Sequence, residues 1–381
     1  MTPPATKVVH VSVVHRADDP RIFERECRSL ADAGYEVTYL APEAGANRLV
    51  GGVRLAPLPP RPRSRRWLSA GAILGRLRRI APRVVHLHDP ELLTLVPLLR
   101  TFVPRVVYDM HEYVTQSVGA KPYLPGLLRP AVAATTRVAQ RNLAAITHGL
   151  VAVTDEQFEE LGPRPALRIT LPNYPRLARF TEALPTLPRD GDRRLRLIYV
   201  GTLAPGRGTL LMLDVMTAVR GRATLHLGGR FSSPQFEREV RRRVADTLPD
   251  TVSLLGPLPP HQVAGYLASA DVVWVPAQPT SQYARPAVAT KLFEGSAVGL
   301  AALVSDLPGR REFVQEQRCG LVVPPTVEGH LAGVEWLLAH RAKAAAMGAR
   351  GRQAVRERYT WEAIERRLLD FYVALTQPVG R

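Results

Sequence analysis

Two stretches in the second half of the chain combine residue types that can hold anions and polyols. Gly201-Thr-Leu-Ala-Pro-Gly-Arg207-Gly208 lies between an apolar run and a helix-forming segment that begins near Thr209. Glycines admit close backbone approach, a helix start offers unpaired N–H groups, and an arginine adds bidentate charge, so a phosphate is the expected guest of Arg207 and Gly208. An ordinary turn with a solvated arginine would have the same residues. The second stretch is Lys291-Leu-Phe-Glu294-Gly-Ser-Ala297-Val-Gly299. On a short helix Glu294 could accept two sugar hydroxyls, while Leu292 and Phe293 draw that helix toward the core.

Other candidate constellations carry less. His86, His88 and Asp89 fall on one strand end, and residues two apart share a face, as a metal pair would. With no compact third and fourth ligand nearby in sequence, no metal is expected. The absence of a GxGxxG after the first strand counts against a dinucleotide oxidoreductase. Arg61, Arg63, Arg65 and Arg66 precede Trp67, Leu68, Ile73, Leu74 and Leu77, with Arg76, Arg78 and Arg79 interleaved. That basic amphipathic segment, Arg61 to Arg79, suits an anionic leaflet, and equally suits a helix covering a sheet.

The elements that position these residues follow from composition and pattern. The chain has 381 residues, 46% hydrophobic and 22% charged, which excludes dominant disorder and suggests two domains. Its net charge of +17 invites a nucleic-acid reading, yet the basic residues are nearly all arginines spread along the length, so no nucleic-acid partner is expected. Two isolated cysteines, Cys27 and Cys319, exclude a disulfide framework. No signal peptide or membrane span is read, and a cytoplasmic chain, peripheral at the inner membrane face through Arg61 to Arg79, is expected.

Short apolar runs alternate with amphipathic helical stretches, the signal of parallel α/β units. Strands are expected at 8–14, 36–40, 84–88, 106–110 and 149–154, then at 195–200, 223–227, 252–255, 271–276, 301–305 and 320–323. After Asp19 and Pro20, Phe23, Cys27 and Leu30 mark the inward face of a helix, with Arg21, Glu24, Arg25 and Arg28 falling elsewhere. The fold class is therefore α/β, with two doubly wound Rossmann-like domains. The division is residues 1–175, a linker at 176–194, residues 195–357, and a terminal helix at 358–381 expected to pack toward the first domain. Doubly wound sheets bind ligands at the carboxyl ends of their strands, so two such domains facing a central cleft put function in the strand-to-helix loops.

Taken in order, these motifs resemble the GT-B nucleotide-sugar glycosyltransferases, specifically the retaining group called glycosyltransferase family 4 (the bacterial group 1 glycosyltransferases). The resemblance runs through His15 to Glu26, Val85-His-Leu-His-Asp-Pro90, Tyr108-Asp-Met-His-Glu112, Leu171-Pro-Asn173, Tyr199-Val-Gly-Thr-Leu203, Gly256-Pro-Leu-Pro259, Lys291 to Gly299 and Ser305-Asp-Leu-Pro-Gly309. It implies a GT-B fold and transfer of a sugar, as a hexosyl or N-acetylhexosaminyl group, from a UDP-linked donor to an acceptor hydroxyl of a glycan, a lipid-linked saccharide or a small molecule. Configuration would be retained, with no cofactor and no metal.

The resemblance also implies residue roles. Glu294 would bind the ribose, and Arg207 with Gly208 and Lys291 the diphosphate. Gly256, Pro257 and Leu258 would meet the nucleobase. His111, with Glu112 adjacent, would face the donor sugar in the catalytic position, and Asp18 and Arg21 would shape the acceptor side. Two departures bear on catalysis: Pro286 stands where many members have an acidic residue, and Thr202 where many have an arginine. A non-catalytic nucleotide-sugar-binding member and a UDP-sugar epimerase are the alternatives.

Overall fold

A computed structural model describes residues 5–111, 129–188, 193–280 and 289–377. Its chain contacts divide it into two units, residues 1–173 with 364–381, and residues 174–363. In the first unit the apolar runs form β1 (Lys7–Val11), β2 (Glu36–Pro42), β3 (Arg48–Val50), β4 (Val53–Leu58), β5 (Val84–Leu87), β6 (Arg105–Met110), β7 (Gly149–Ala152) and β8 (Arg168–Thr170). Their order in the sheet is β3-β4-β2-β1-β5-β6-β7-β8, parallel except for the β3–β4 pair. The chain order reverses between β1 and β5, so the loops after these strands lie at the switch point.

The second unit repeats the design with β9 (Leu195–Val200), β10 (Ala223–Gly228), β11 (Val252–Gly256), β12 (Val272–Val275), β13 (Ala301–Ser305) and β14 (Gly320–Val323). The all-parallel order is β11-β10-β9-β12-β13-β14, with its switch between β9 and β12. Successive side chains on β9 point to opposite faces. Leu197 and Tyr199 pack with Trp274, Val334 and Leu337, whereas Ile198 packs with Leu292, Phe293 and Phe313. Coverage on both faces is why the strands read as continuous apolar runs.

The structure departs from the sequence expectations in identifiable places. The short strands β3, β4 and β8 were not among those expected. Gly51 and Gly52, at φ 54° and 77°, turn β3 into β4, a Gly-Gly hairpin that the α/β reading passed over. Residues 174–188, expected to fall largely in the linker, pack within the second unit: Phe180 enters its core, and the Thr186 N–H donates to the Gly265 carbonyl at 3.1 Å. The first helix opens with a π-helical stretch, Ile22–Cys27, where the Glu26 N–H donates to the Arg21 carbonyl at 3.1 Å. A π turn widens the helix, so Arg21 and Arg25 are buried rather than facing solvent, as are Phe23, Glu26 and Cys27.

The chain's last helix, Trp361–Thr376, contributes Ile364 onward to the first unit. Phe371 fills the space above Gly149, where a Cβ would lie 2.6 Å from the ring, and Tyr372 is fully buried.

Candidate functional site

In the second unit the phosphate-type loop leaves β9 at Gly201 and enters helix Thr209–Ala218 through Gly208. Gly208 takes φ 76°, and a Cβ there would fall 1.9 Å from the Pro276 carbonyl oxygen, so only glycine fits. Thr209 is buried and its hydroxyl accepts from the Ala204 N–H at 3.0 Å, which ties the loop to the helix start. Gly201, at φ 142°, leaves room for Lys291, whose Nζ would sit 2.7 Å from a Cβ at that position. The Lys291 ammonium lies 3.7 Å over the Tyr199 ring. Burial and the charges of Arg207 and Arg310 push its pKa well below the ordinary value, with Glu294 acting in the opposite sense.

Three cations from three loops or helices thus act on one locality: Arg207 after β9, Lys291 on helix Thr290–Ala297, and Arg310 at the start of helix Arg310–Glu316. Arg310 was not singled out in the sequence. Its only signal was membership of the loop after β13. Glu294 lies one turn beyond Lys291 on the same helix, which Leu292, Phe293 and Ala297 anchor to the core. Gly256 ends β11 at φ 71°, with Pro257 exposed and Leu258 reaching over Gly228.

In the first unit the sequence-predicted residues separate. Asp18 is exposed and pairs with Arg16 at 3.0 Å. Arg21 is buried, donating to Asp109 through Nε and Nη2 at 3.0–3.2 Å, and through Nη1 to the Leu171 carbonyl at 2.7 Å and Asn173 at 3.0 Å. It holds β6 and the segment after β8 together, and its Nε also lies 3.1 Å from Glu26 Oε1. Glu112 and Pro286 lie outside the described residues.

His111 follows β6 and is part of a cluster that the sequence did not assemble. His88 Nδ1 lies 3.1 Å from His111 Nε2, His10 Nδ1 lies 2.8 Å from His88 Nε2, and Asp109 Oδ2 accepts from His111 Nε2 at 3.0 Å. Tyr372 OH stands 2.8 Å from His86 Nδ1 and 3.3 Å from His10 Nε2. Burial lowers the pKa values of His10 and His86 well below the ordinary range, and that of His88 to about 4. Burial opposes ionisation of Asp109, but Arg21 and His111 hold its pKa well below the usual range. Glu26 is pushed up by burial and by the Asp109 charge.

The expectation that His86 and His88 lack further ligands nearby is corrected. His10 and Glu26 join them with ligand atoms within 4.8 Å of one another, as do Asp109 and His111 with His88. The geometry nevertheless favours a shared proton between His10 and His88. Their rings are nearly parallel, at 20°, with centroids 5.1 Å apart, so the 2.8 Å nitrogen pair meets head-on. Two nitrogens bound to one tetrahedral zinc would be about 3.3 Å apart and angled toward the metal.

On the outer side of the first unit, Ile73 and Leu77 pack inward from helix Ala70–Ile80, while Trp67 is 72% exposed beside exposed Arg65, Leu68, Arg78 and Arg79. One face of this segment therefore covers the sheet, as one of its two sequence readings has it, and a basic aromatic edge remains exposed. Among the described residues, no helix is long and apolar enough to cross a membrane.

Comparison with known proteins bears on this arrangement. Residues 21–174 match the family model of the glycosyl transferase 4-like domain, and residues 194–340 that of the glycosyl transferases group 1. The phosphatidyl-myo-inositol mannosyltransferase of Mycolicibacterium smegmatis is 25% identical over 90% of this chain and 86% of its own. A Mycobacterium tuberculosis protein, the GDP-mannose-dependent alpha-(1-6)-phosphatidylinositol monomannoside mannosyltransferase, is 27% identical over 48% of each chain. The structure of Anabaena HepE in complex with UDP-glucose superposes with a TM-score of 0.73 over 97% of this chain and 100% of that one, at 14% identity. With the two models matched in order along the sequence and two Rossmann-like units of GT-B type, the chain belongs to the group 1, family 4-like glycosyltransferases.

Proposed function

We propose that the protein transfers a hexosyl or N-acetylhexosaminyl group from a nucleoside diphosphate sugar to a hydroxyl of a glycan or lipid-linked saccharide, with retention of configuration. The observation that carries this reading is the convergence of Arg207, Lys291 and Arg310 beside a glycine-lined helix start, with Glu294 one turn away. Breaking the bond to a diphosphate leaves negative charge on the departing group, and fixed cations there stabilise it as it develops. Glu294 holds the ribose, Gly256 to Leu258 meet the base, and His111 faces the transferred sugar. The departing phosphate takes part in deprotonating the acceptor, so no carboxylate nucleophile is assigned. Asp18 remains a candidate for the acceptor side, and the chemistry assigns no step to a metal.

The UDP form is our first choice of donor, in keeping with the HepE complex, while the Mycobacterium tuberculosis relative's name favours GDP-mannose. A lipid-linked acceptor is supported by the phosphatidyl-myo-inositol in the name of the Mycolicibacterium relative and by exposed Trp67 and Leu68 among arginines, which suit a peripheral position on an anionic inner leaflet. Thr202 favours a second reading, a binding role without transfer, because it removes a cation from the loop.

Thermal shift with UDP-, GDP- and ADP-sugars identifies the donor, since a ligand bound to the folded state stabilises it by mass action. Nucleoside diphosphate release in the presence of a membrane-glycolipid extract, abolished in Arg207→Ala and Glu294→Ala, supports transfer. Donor binding without release across all acceptors supports the second reading. The anomeric proton coupling of the isolated product tests retention.

A further inference from the structure

The first unit holds a cavity of about 890 Å³ that the proposed reaction does not use. It lies at β8, two strands beyond β6 in the sheet order. Arg168, Ile169 and Thr170, the whole of β8, line it. Successive side chains on a strand point to opposite faces, so a cavity lined by three in a row runs along the strand's edge. That edge is open, because among the described strands β8 ends its sheet and pairs with β7 alone. The Leu150 N–H donates to the Leu167 carbonyl at 3.0 Å and the Leu171 N–H to the Ala152 carbonyl at 2.8 Å. The alternation of a parallel ladder therefore turns the N–H and C=O groups of Arg168 and Thr170 away from β7, toward the open side.

Charged side chains from other elements surround this edge. Arg141 comes from helix Arg129–Ala145, Arg367 from the last helix, Asp155 from the turn after β7, and Glu159 from helix Gln157–Leu161. Two of the guanidiniums have fixed supports. Gly162, at φ 84°, lets Arg141 lie against it, with Nε 2.8 Å from where a Cβ would be, and Arg168 lies 5.4 Å over the Phe158 ring. Asp155 accepts the Thr170 hydroxyl. Among the described residues Arg141, Arg168, Arg367 and Glu159 form no ion pair, although they line one cavity. Both signs of charge are thus held apart around a wall of backbone donors and acceptors.

We propose that this cavity binds an acidic saccharide, a sugar chain or sugar unit that carries a carboxylate or a phosphate. Sugar hydroxyls donate to the carboxylates and strand carbonyls and accept from the strand N–H groups. The three arginines outnumber Asp155 and Glu159, and the surplus takes the anionic group through paired N–H donors. The volume is at the upper end of the roughly 300–1,000 Å³ typical of ligand sites, which suits more than a single small ion. A peptide adding a strand to the same edge fits less well, since β8 has three residues and Pro172 follows close behind. In the transferase reading, and only there, the site holds a part of an acidic acceptor away from its reacting hydroxyl, because β8 lies about 10 Å, two strand spacings, from β6. Saccharide binding itself does not depend on that reading.

The test is calorimetric titration of the full-length protein at low salt with tetragalacturonate and with glucose 6-phosphate, whose comparison tells a carboxylate site from a phosphate site. Maltotetraose, citrate and polyglutamate serve as the neutral sugar, the bare anion and the acidic peptide. At least one acidic saccharide should bind, and do so at least tenfold more tightly than all three controls. Arg168→Gln and Arg367→Gln should each weaken that binding about fivefold, the size of an exposed ion pair, with urea denaturation unchanged because both side chains are exposed. Arg207→Ala should leave it intact, which separates this cavity from the diphosphate site. The proposal is overturned if neither acidic saccharide binds, if a control binds as tightly, if both arginine variants bind like the wild type, or if Arg207→Ala abolishes binding. Saccharide binding with no sugar transfer from any donor would sink the transferase reading and leave this site standing. Transfer by a protein that binds neither acidic saccharide would do the reverse.

Discussion

Lys291 Nζ occupies the space that Gly201 leaves by lacking a side chain, 2.7 Å from where its Cβ would be, and stacks at 3.7 Å on Tyr199. The phosphate-type loop and the Lys291 helix are therefore matched: the glycine is needed both for φ 142° and for the lysine.

Gly201→Ala should break this match. A non-glycine residue at such a φ costs about 1–3 kcal/mol, and the methyl group displaces the ammonium. Urea denaturation should show a loss of that size, and nucleoside diphosphate should no longer raise the melting temperature. Unchanged ligand stabilisation would show that Lys291 has no part in binding.

Lys291 gives the ligand response a pH dependence whose sign can be worked out. Its pKa in the free fold is depressed, so the unfolded state binds more protons between that depressed value and the ordinary one near 10.4. Through this window the free protein gains stability as pH rises. A bound diphosphate restores the lysine's charge, so stabilisation by the nucleotide should be larger at about pH 6 than at about pH 9, by about 1.4 kcal/mol per unit of pKa recovered. Lys291→Met should flatten the dependence and raise the melting temperature of the free protein.

The buried Arg21–Asp109 pair should be costly to halve. Arg21→Met leaves a carboxylate without its cation, and removal of one buried partner typically costs about 3–5 kcal/mol. Chemical denaturation measures this directly. Arg21→Met combined with Asp109→Leu should recover part of the loss, and a double variant as unstable as the sum would rule out the charge imbalance as the cause.

His330 makes the second unit acid-sensitive. Its Nδ1 accepts from the Trp274 indole N–H at 3.0 Å, its Nε2 meets Ser305 Oγ at 2.9 Å, and burial lowers its pKa to about 4. The unfolded histidine, near 6.5, binds the proton first, so stability is lost as pH falls from about 6.5 to about 4. Trp274 fluorescence should report the loss in the wild type, and His330→Gln should weaken its pH dependence.

The basic edge can be tested apart from activity. Each arginine near an anionic leaflet contributes about 1 kcal/mol, so Arg78→Gln with Arg79→Gln should weaken sedimentation with phosphatidylserine vesicles about 30-fold, with the fold unchanged. Equal binding to neutral vesicles would remove the electrostatic reading.

The central strands β9, β12 and β13 of the second unit were legible because burial on both faces makes them nearly continuous apolar runs, and the loop rule pointed to the segments that carry Arg207 and Lys291. The histidine chain was not legible. His10, His88, His111 and Tyr372 come from β1, the loops after β5 and β6, and the last helix, and only sheet order makes them neighbours. Arg21 was misplaced for a local reason, since a period of 3.6 puts it outward and the π turn brings it in. Arg310 escaped because a buried arginine at a helix start has the same sequence signature as a solvated one.

The division of the chain also bears on its synthesis. Gly149 lies open until Phe371 covers it, and His10 and His86 lack their shared tyrosine until Tyr372 arrives. The first unit therefore cannot complete its core as it leaves the ribosome. It must wait through the translation of residues 174–363, with a neighbouring unit free to fold before it, and a nascent chain stopped short of Phe371 should be the form that chaperones and proteases recognise.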